Sequence, residues 1–418
     1  MNRLRRLGAH VVATAAIEGA VEDEEAAFAR YCHDGERRAL ALGNRGPFHR
    51  DADGRVARDI IEAYRRTGFY VLESLVDQEE LRELRDEFET LLDNAPVRED
   101  DGVNVAFVQR QKDHGEEFDR HGRPVRYPFA YAFTKTLSDP SGGTDALGGR
   151  HQMKMRELTP AAGLPTRTIA NLTHYVGYMD SGLRLYGHPD LMAIAEEING
   201  PDFTPFTENA FYKEAGAGAA VAWHQDPNPM WDEPWREPGF DVTTCGFSFH
   251  LSLYHCTAQN GLWMLPGSAS MGRVDINALA AAGGDGDRLP SAVPILCKPG
   301  DCFLQNRLAL HGSFPNVGSQ RCTLQFGFHK RASVLGLRTQ GTATKGRFRT
   351  YDSDYIERRS KLIALAIDAR RQRWPDEKQY VYRPLAGRED ELGLRWDATM
   401  KDDPSSYLRR ANDEDIAI

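Results

Sequence analysis

Apolar positions recur at helical spacing near the start of the chain and at alternate positions through its middle. Leu81, Leu84, Phe88 and Leu91 form one stripe of a helix beginning at Asp77, with Glu80 three residues on in capping-box spacing. Helices are also expected over 21–45, Asp59–Arg66, 189–198 and Asp354–Trp374, and a short strand over Gly68–Leu72. Residues 46–57 and 94–160 read as loops. From about residue 206 the pattern changes to short, turn-bounded strands: Thr207–Lys213, Ala219–Asp226, Gly246–Tyr254, Gly261–Leu265, Gly300–Gln305 and Arg321–His329. The stretch 278–290 reads as a surface excursion between strands. Many short strands after a helical start predict a mainly β, α+β fold, a sandwich or barrel with packed helices. The arginines of the last helix (Arg358, Arg359, Arg370, Arg371, Arg373) are expected on a solvated face.

Period-two alternation sorts two of the strands into faces. Phe247, Phe249, Leu251 and Leu253 point one way, and Ser248, His250, Ser252 and Tyr254 the other. In the last strand Cys322, Leu324, Phe326 and Phe328 form a core face, and Arg321, Thr323 and Gln325 a polar one. A polar face on a buried strand needs partners, and a ligand cavity supplies them. Each such residue also has a plainer reading as a satisfied interior group, and Arg321 one as a structural ion pair.

The chain of 418 residues carries 61 acidic against 52 basic side chains, a formal charge of −9, which argues against a general nucleic-acid binder. No run of 18 apolar residues occurs, so no membrane-spanning helix is expected. The Arg3, Arg5, Arg6 start and its apolar sequel are broken by His10 and Glu18, which disfavours a signal peptide. Six cysteines without a CxxC pair suit reduced thiols in a cytoplasmic enzyme.

An acid two residues after a histidine occurs three times: His49/Asp51, His188/Asp190 and His224/Asp226. The first lies in a polar loop. In the second, Asp190 reads as a first-turn acid of a helix opened by Pro189. Only the third ends a strand-like run, where both side chains face the same way. His311 is the candidate third ligand. Two histidines and one carboxylate make the facial triad of non-haem Fe(II) oxygenases, with positions left open for a cosubstrate and O2. Arg321, ten residues after His311, has the fork geometry that binds a carboxylate.

Four segments together resemble the phytanoyl-CoA dioxygenase family of Fe(II)/2-oxoglutarate-dependent oxygenases. They are Asp59–Leu92, Trp223-His224-Gln225-Asp226, Asn260 to Ser268 with its Pro266-Gly267-Ser268, and Gly300-Asp301 through His311, Asn316 and Arg321. The resemblance spans roughly 59–330. It implies a double-stranded β-helix (jelly-roll, cupin-like) core, flanked by a helical extension over 1–58 and a C-terminal one over 331–418. It implies iron on His224, Asp226 and His311, and the far carboxylate of 2-oxoglutarate on Arg321. Ser313 and Ser248 fall where some members touch that cosubstrate, with Asn209 and Lys213 as further candidates. His250, Tyr254, Trp231 and Trp263 are candidates for the substrate side. The histidine usual after Pro-Gly-Ser is Ala269 here. Asp226 disfavours a halogenase, which would vacate that ligand. The implied activity is hydroxylation of an unactivated C–H bond of a small metabolite, of natural-product type, with release of succinate and CO2, by a monomer or homodimer. Two alternatives stay open: a cupin-like hydrolase or isomerase that ignores 2-oxoglutarate, and a non-catalytic binding protein.

Overall fold

The computed structural model describes residues 24–97, 117–127, 130–144, 150–226, 246–283, 286–336, 338–340 and 348–402. In chain order these form α1 (Glu24–Leu40), β1 (Arg45–Gly46), α2 (Arg58–Thr67), β2 (Phe69–Leu72), α3 (Gln78–Asp93), β3 (Tyr131–Lys135), β4 (Arg167–Thr173), α4 (Asp180–Tyr186), α5 (Pro189–Asn199) and β5 (Phe203–Lys213). There follow β6 (Val221–His224), β7 (Phe247–Ser252), β8 (Trp263–Met264), α6 (Ile276–Gly283), β9 (Val293–Pro294), β10 (Cys302–Asn306), β11 (His311–Ser313) and β12 (Arg321–Lys330). The last elements are α7 (Arg331–Val334), β13 (Arg338–Gln340), β14 (Phe348–Thr350) and α8 (Ser353–Arg373). The expected cap of α3 is present, with Asp77 Oδ1 accepting the Glu80 N–H at 2.8 Å.

The strands form two main sheets. Eight make a large sheet in the order β1-β2-β10-β7-β12-β5-β4-β3, and four make a small one, β6-β11-β8-β9; β13 and β14 pair by themselves. Among the described residues helix outweighs strand, and the two sheets do not close into one barrel. The fold is therefore a two-sheet α+β arrangement rather than a mainly β one. Unexpected elements, among them β3 inside the expected loop 94–160, β4 and α4 before 189, and α6 running into the expected surface excursion, lie where no clean period marks them. Among the described residues no helix is long and apolar enough to cross a membrane.

The alternation read from the sequence holds in space. Phe247, Phe249, Leu251, Leu304, Cys322, Leu324, Phe326 and Phe328 share one buried cluster with Leu84 and Phe88 of α3, Leu185 of α4, Met192 of α5 and Leu362 of α8. Helices thus cover the apolar side of the large sheet, and its polar side is left facing inward. The small sheet carries Trp223, Trp263 and Phe314 in a second cluster with α1. Tyr31 stacks on Trp263 at 4.5 Å, and a Cβ on Gly35 would lie 2.4 Å from the indole. Glycine is what lets α1 approach so closely.

The arginine-rich helix departs from expectation. Arg359 and Arg370 of α8 are buried and ion-paired. Arg359 donates to Glu208 on β5 at 2.6 Å, and His174 meets the other Glu208 oxygen at 3.0 Å. Arg370 joins Glu80 of α3 and Glu377. Glu208 and Glu80, distant in sequence, and Glu377, just past the helix, make burial of these charges tolerable. Burial alone would raise the Glu208 carboxyl pKa, but Arg359 and His174 outweigh it and hold it below its ordinary value.

Glu208→Gln should leave Arg359 buried without its counter-charge and lower the unfolding free energy by roughly 3–5 kcal/mol near neutral pH, read from urea melts. A depressed folded-state pKa gives stability that is complete above the unfolded value, about 4.3, and is lost as pH falls through the folded one. The gap between wild type and variant should therefore narrow on acidification below about pH 4. Equal melts at neutral pH would contradict this account.

Candidate metal centre

β6 and β11 run antiparallel with His224 directly opposite His311, so the two imidazoles emerge on one face. Their ring centroids are 4.1 Å apart. The two rings are locked in the same way. Each Nδ1 sits 2.8 Å from the carbonyl two residues back, Ala222 for His224 and Ala309 for His311. As donor to that carbonyl, each Nδ1 leaves its Nε2 lone pair available. Asp226 follows just past the end of β6. Its Oδ1 is 3.4 Å from His224 Nε2 and its Oδ2 3.9 Å from His311 Nε2. The three donor atoms lie within 4.8 Å of one another. This is a 2-His-1-carboxylate facial triad, a nitrogen-rich donor set suited to Fe(II).

The surroundings suit a metal. Burial alone would raise the Asp226 carboxyl pKa, but His224, His311 and Arg307 pull it well below the usual carboxylate range. Burial, then the nearby His224, pushes His311 down to about 3, which leaves a neutral imidazole. Arg307 Nε stands 3.5 Å from Asp226 Oδ2, and the Arg307 carbonyl accepts the Asp226 N–H at 3.0 Å. Gln225 fixes the end of β6. It donates to the Leu308 and Gly272 carbonyls at 2.7 and 3.0 Å and accepts the Val274 N–H at 2.9 Å.

Beside the triad runs the inward face of the large sheet. Register places Lys213 opposite Arg321, Asn209 opposite Gln325, Gln325 opposite His250, and Ser248 opposite Gln305. Arg321 Nη1 donates to the Asn260 carbonyl at 3.3 Å and Nη2 to Thr323 Oγ1 at 3.4 Å. Gln325 donates to Ser248 Oγ at 3.1 Å, and Asn171 to Asn209 Oδ1 at 3.4 Å. Lys213 donates to the Phe314 carbonyl at 2.5 Å, and burial together with Arg321 pushes its ammonium pKa well down. His250 stacks on Phe303 at 4.3 Å, and burial, then Arg321, lowers its pKa well below the ordinary value. Arg321 Nε, Ser313 Oγ, His250 Nδ1 and Gln325 Oε1 are all buried without a partner in the protein. Buried polar atoms are seldom left so, and an oxygen-rich, carboxylate-bearing ligand would satisfy them.

Residues 169–322 match the family model described as Phytanoyl-CoA dioxygenase (PhyH). The match covers the central part of the chain, less than half of its length. No curated protein matches it. Solved structures similar in fold include apo EctD from S. alaskensis, 17% identical over 73% of this chain and 88% of that one, with a TM-score of 0.44. AviO1 from Streptomyces viridochromogenes Tue57 is 18% identical over 64% of this chain and 92% of that one, TM-score 0.40. SnoN, an epimerase from nogalamycin biosynthesis, is 15% identical over 64% and 80%, TM-score 0.39.

The matched segment holds the triad, Arg321, Ser313, Ser248, His250, Asn209 and Lys213. Two other expected substrate residues stand elsewhere. Trp263 is enclosed between Tyr31 and Phe314, its indole N–H bonded to the Ala258 carbonyl. Tyr254 lies beyond the end of β7 and donates to Glu89 of α3 at 2.8 Å. Trp231 is outside the described residues. Ala269, in place of the family's usual histidine, packs near Gly68, while the adjacent Ser268 Oγ accepts the Leu310 N–H at 2.8 Å beside His311. Sequence reasoning missed Arg150, His151, Gln225 and Arg307. Gln225 and Arg307 sit inside quoted motifs; Arg150 and His151 lie in an aperiodic stretch with no signal.

His224→Ala and His311→Ala should each weaken Co(II) binding by more than about 100-fold. Gln225→Ala, acting through strand position alone, should cost roughly tenfold. Titration of the metal's visible absorption checks both; a His311→Ala protein that binds as wild type would remove His311 from the ligand set.

Proposed function

We propose that the protein is an Fe(II)/2-oxoglutarate-dependent dioxygenase that hydroxylates an unactivated C–H bond of a small molecule. The observation that carries this reading is the facial triad set against a buried face of unpartnered polar atoms that includes Arg321. With 2-oxoglutarate and O2, bound Fe(II) supplies the oxidising power for hydroxylation, with succinate and CO2 as coproducts. The protein's own part is to hold and orient. His224, Asp226 and His311 grip one side of the metal and leave the other open. Arg321 receives the distal carboxylate of 2-oxoglutarate through its free Nε, and Ser313 and Ser248 offer hydroxyls beside it. Asn209 and Lys213 border that pocket, and His250, neutral and stacked on Phe303, borders the space for substrate. Burial of the whole face excludes water from the reacting centre.

The same reading takes the two sheets as the halves of a double-stranded β-helix over 59–330, with extensions over 1–58 and 331–418. The close approach of α1 to Trp263 and the ion pairing of α8 to β5 support that division. Buried, unbridged Cys32, Cys256, Cys297, Cys302 and Cys322 support work in the reducing cytoplasm. The enzyme is read as a monomer or homodimer.

Anaerobic addition of Fe(II) and 2-oxoglutarate should give the visible charge-transfer absorption of a chelated complex. Arg321→Met should raise half-saturating 2-oxoglutarate by about 30- to 1000-fold, the cost of removing one partner of a buried charge-assisted contact. An iron-loaded protein without that absorption, or an indifferent Arg321→Met variant, would sink the proposal.

A further inference from the structure

We propose that the substrate bears a carboxylate, received beside the metal centre by Arg150 and His151; this rests on the oxygenase reading above. His151 is fully buried, its ring centroid 4.5 Å from that of His224, and neither ring nitrogen has a partner in the protein. The side chain of Arg150 is 12% exposed. Its Nη1 donates to the Asp226 carbonyl at 2.7 Å and lies 3.9 Å from Asp226 Oδ1, while its Nε is buried without a partner. These two residues come from the chain between β3 and β4, not from the strands that carry the inward polar face.

Two arguments point to an anion. Arg150 and Arg307 both lean on one carboxylate, Asp226, which the metal also claims. The charge of Fe(II) is matched by the dianion of 2-oxoglutarate, so Arg150, which shares Asp226 with the metal, remains under-neutralised once both are bound. Second, the unused groups can supply two hydrogen-bond donors, one for each oxygen of a carboxylate: the Arg150 Nε–H and one imidazole N–H. A tetrahedral phosphate dianion would ask for more donors than this pair offers.

The test uses the anaerobic Fe(II)·2-oxoglutarate complex of the full chain. Its charge-transfer absorption is titrated with straight-chain carboxylates from acetate to octanoate, with their primary amides, and with the matching alkyl phosphates. Carboxylates should perturb the absorption saturably, with amides and phosphates needing at least about tenfold more. Arg150→Met and His151→Leu should each raise half-saturating carboxylate by about tenfold or more and leave half-saturating 2-oxoglutarate within about twofold. Metal-free His151→Leu should melt no lower than wild type, because the imidazole has no partner to lose. Equal response to amides, tighter binding of phosphates, no response to any carboxylate, a shift in 2-oxoglutarate affinity, or a lower melting temperature for His151→Leu would each overturn the assignment. A wild-type complex without charge-transfer absorption strikes the oxygenase reading itself; a normal absorption indifferent to carboxylates strikes this inference alone.

Discussion

The pairing of β6 with β11 is the constraint on which the centre depends. His224 and His311 share a face only in the register that sets them opposite each other; a slip by one residue would send one imidazole to the far side of the small sheet. Strands of four and three residues are too short to fix their own register by length. The hold comes from contacts around them. Gly312 lies so close to Val221 and Trp223 that a Cβ would sit 3.0 Å from the Val221 carbonyl. Gln225 ties the end of β6 to Leu308 and Gly272, and Ser268 ties Leu310 to the turn after β8. The residues between and beside the ligands are therefore as much part of the metal site as the ligands.

The large sheet divides its labour by side. Its outward face is aliphatic and aromatic and is covered by α3, α4, α5 and α8. Its inward face carries polar groups, several without a partner in the protein. Each such atom costs about 1–3 kcal/mol when left unpaired. A sequence selected for stability alone would not keep them. Arg321, His250 and Gln325 carry such atoms on one face next to the triad, where a ligand can complete them, and stability is given up there for binding.

Much of this was legible in the sequence, and for definite reasons. Period-two alternation separated Cys322, Leu324, Phe326 and Phe328 from Arg321, Thr323 and Gln325, and the structure keeps that separation. The same rule misled at Tyr254, because β7 ends at Ser252 and alternation stops with the strand. Trp263 lies on a strand neighbouring His311, yet it pairs with Gly312 and so turns to the far face. Arg359 and Arg370 looked solvated because what makes their burial affordable, Glu208 and Glu80, stands 151 and 290 residues away along the chain. His151 had no periodic neighbourhood at all; only tertiary folding brings it to His224. A mainly β reading overweighted the central strands against helices that the periodicity of the flanks only partly announced.

The buried ion pairs also give the C-terminal helix a role beyond covering apolar surface. On β5, Glu208 turns outward to Arg359 and His174, while Asn209, one residue on, turns inward opposite Gln325. Lys213 follows four residues later on the same inward side, opposite Arg321. A strand is stiff along its length, so a clamp on one face limits movement of the other. The desolvated Glu208–Arg359 pair is a poor way to add net stability, since a well-packed apolar pair would do as well or better. It is a good way to fix one position, because a displaced partner leaves a buried charge uncompensated. The chain beyond β12 thus helps to hold the strand that presents Asn209 and Lys213 to the inward face, and the site depends on a helix that lies well beyond its last ligand, His311, in the sequence.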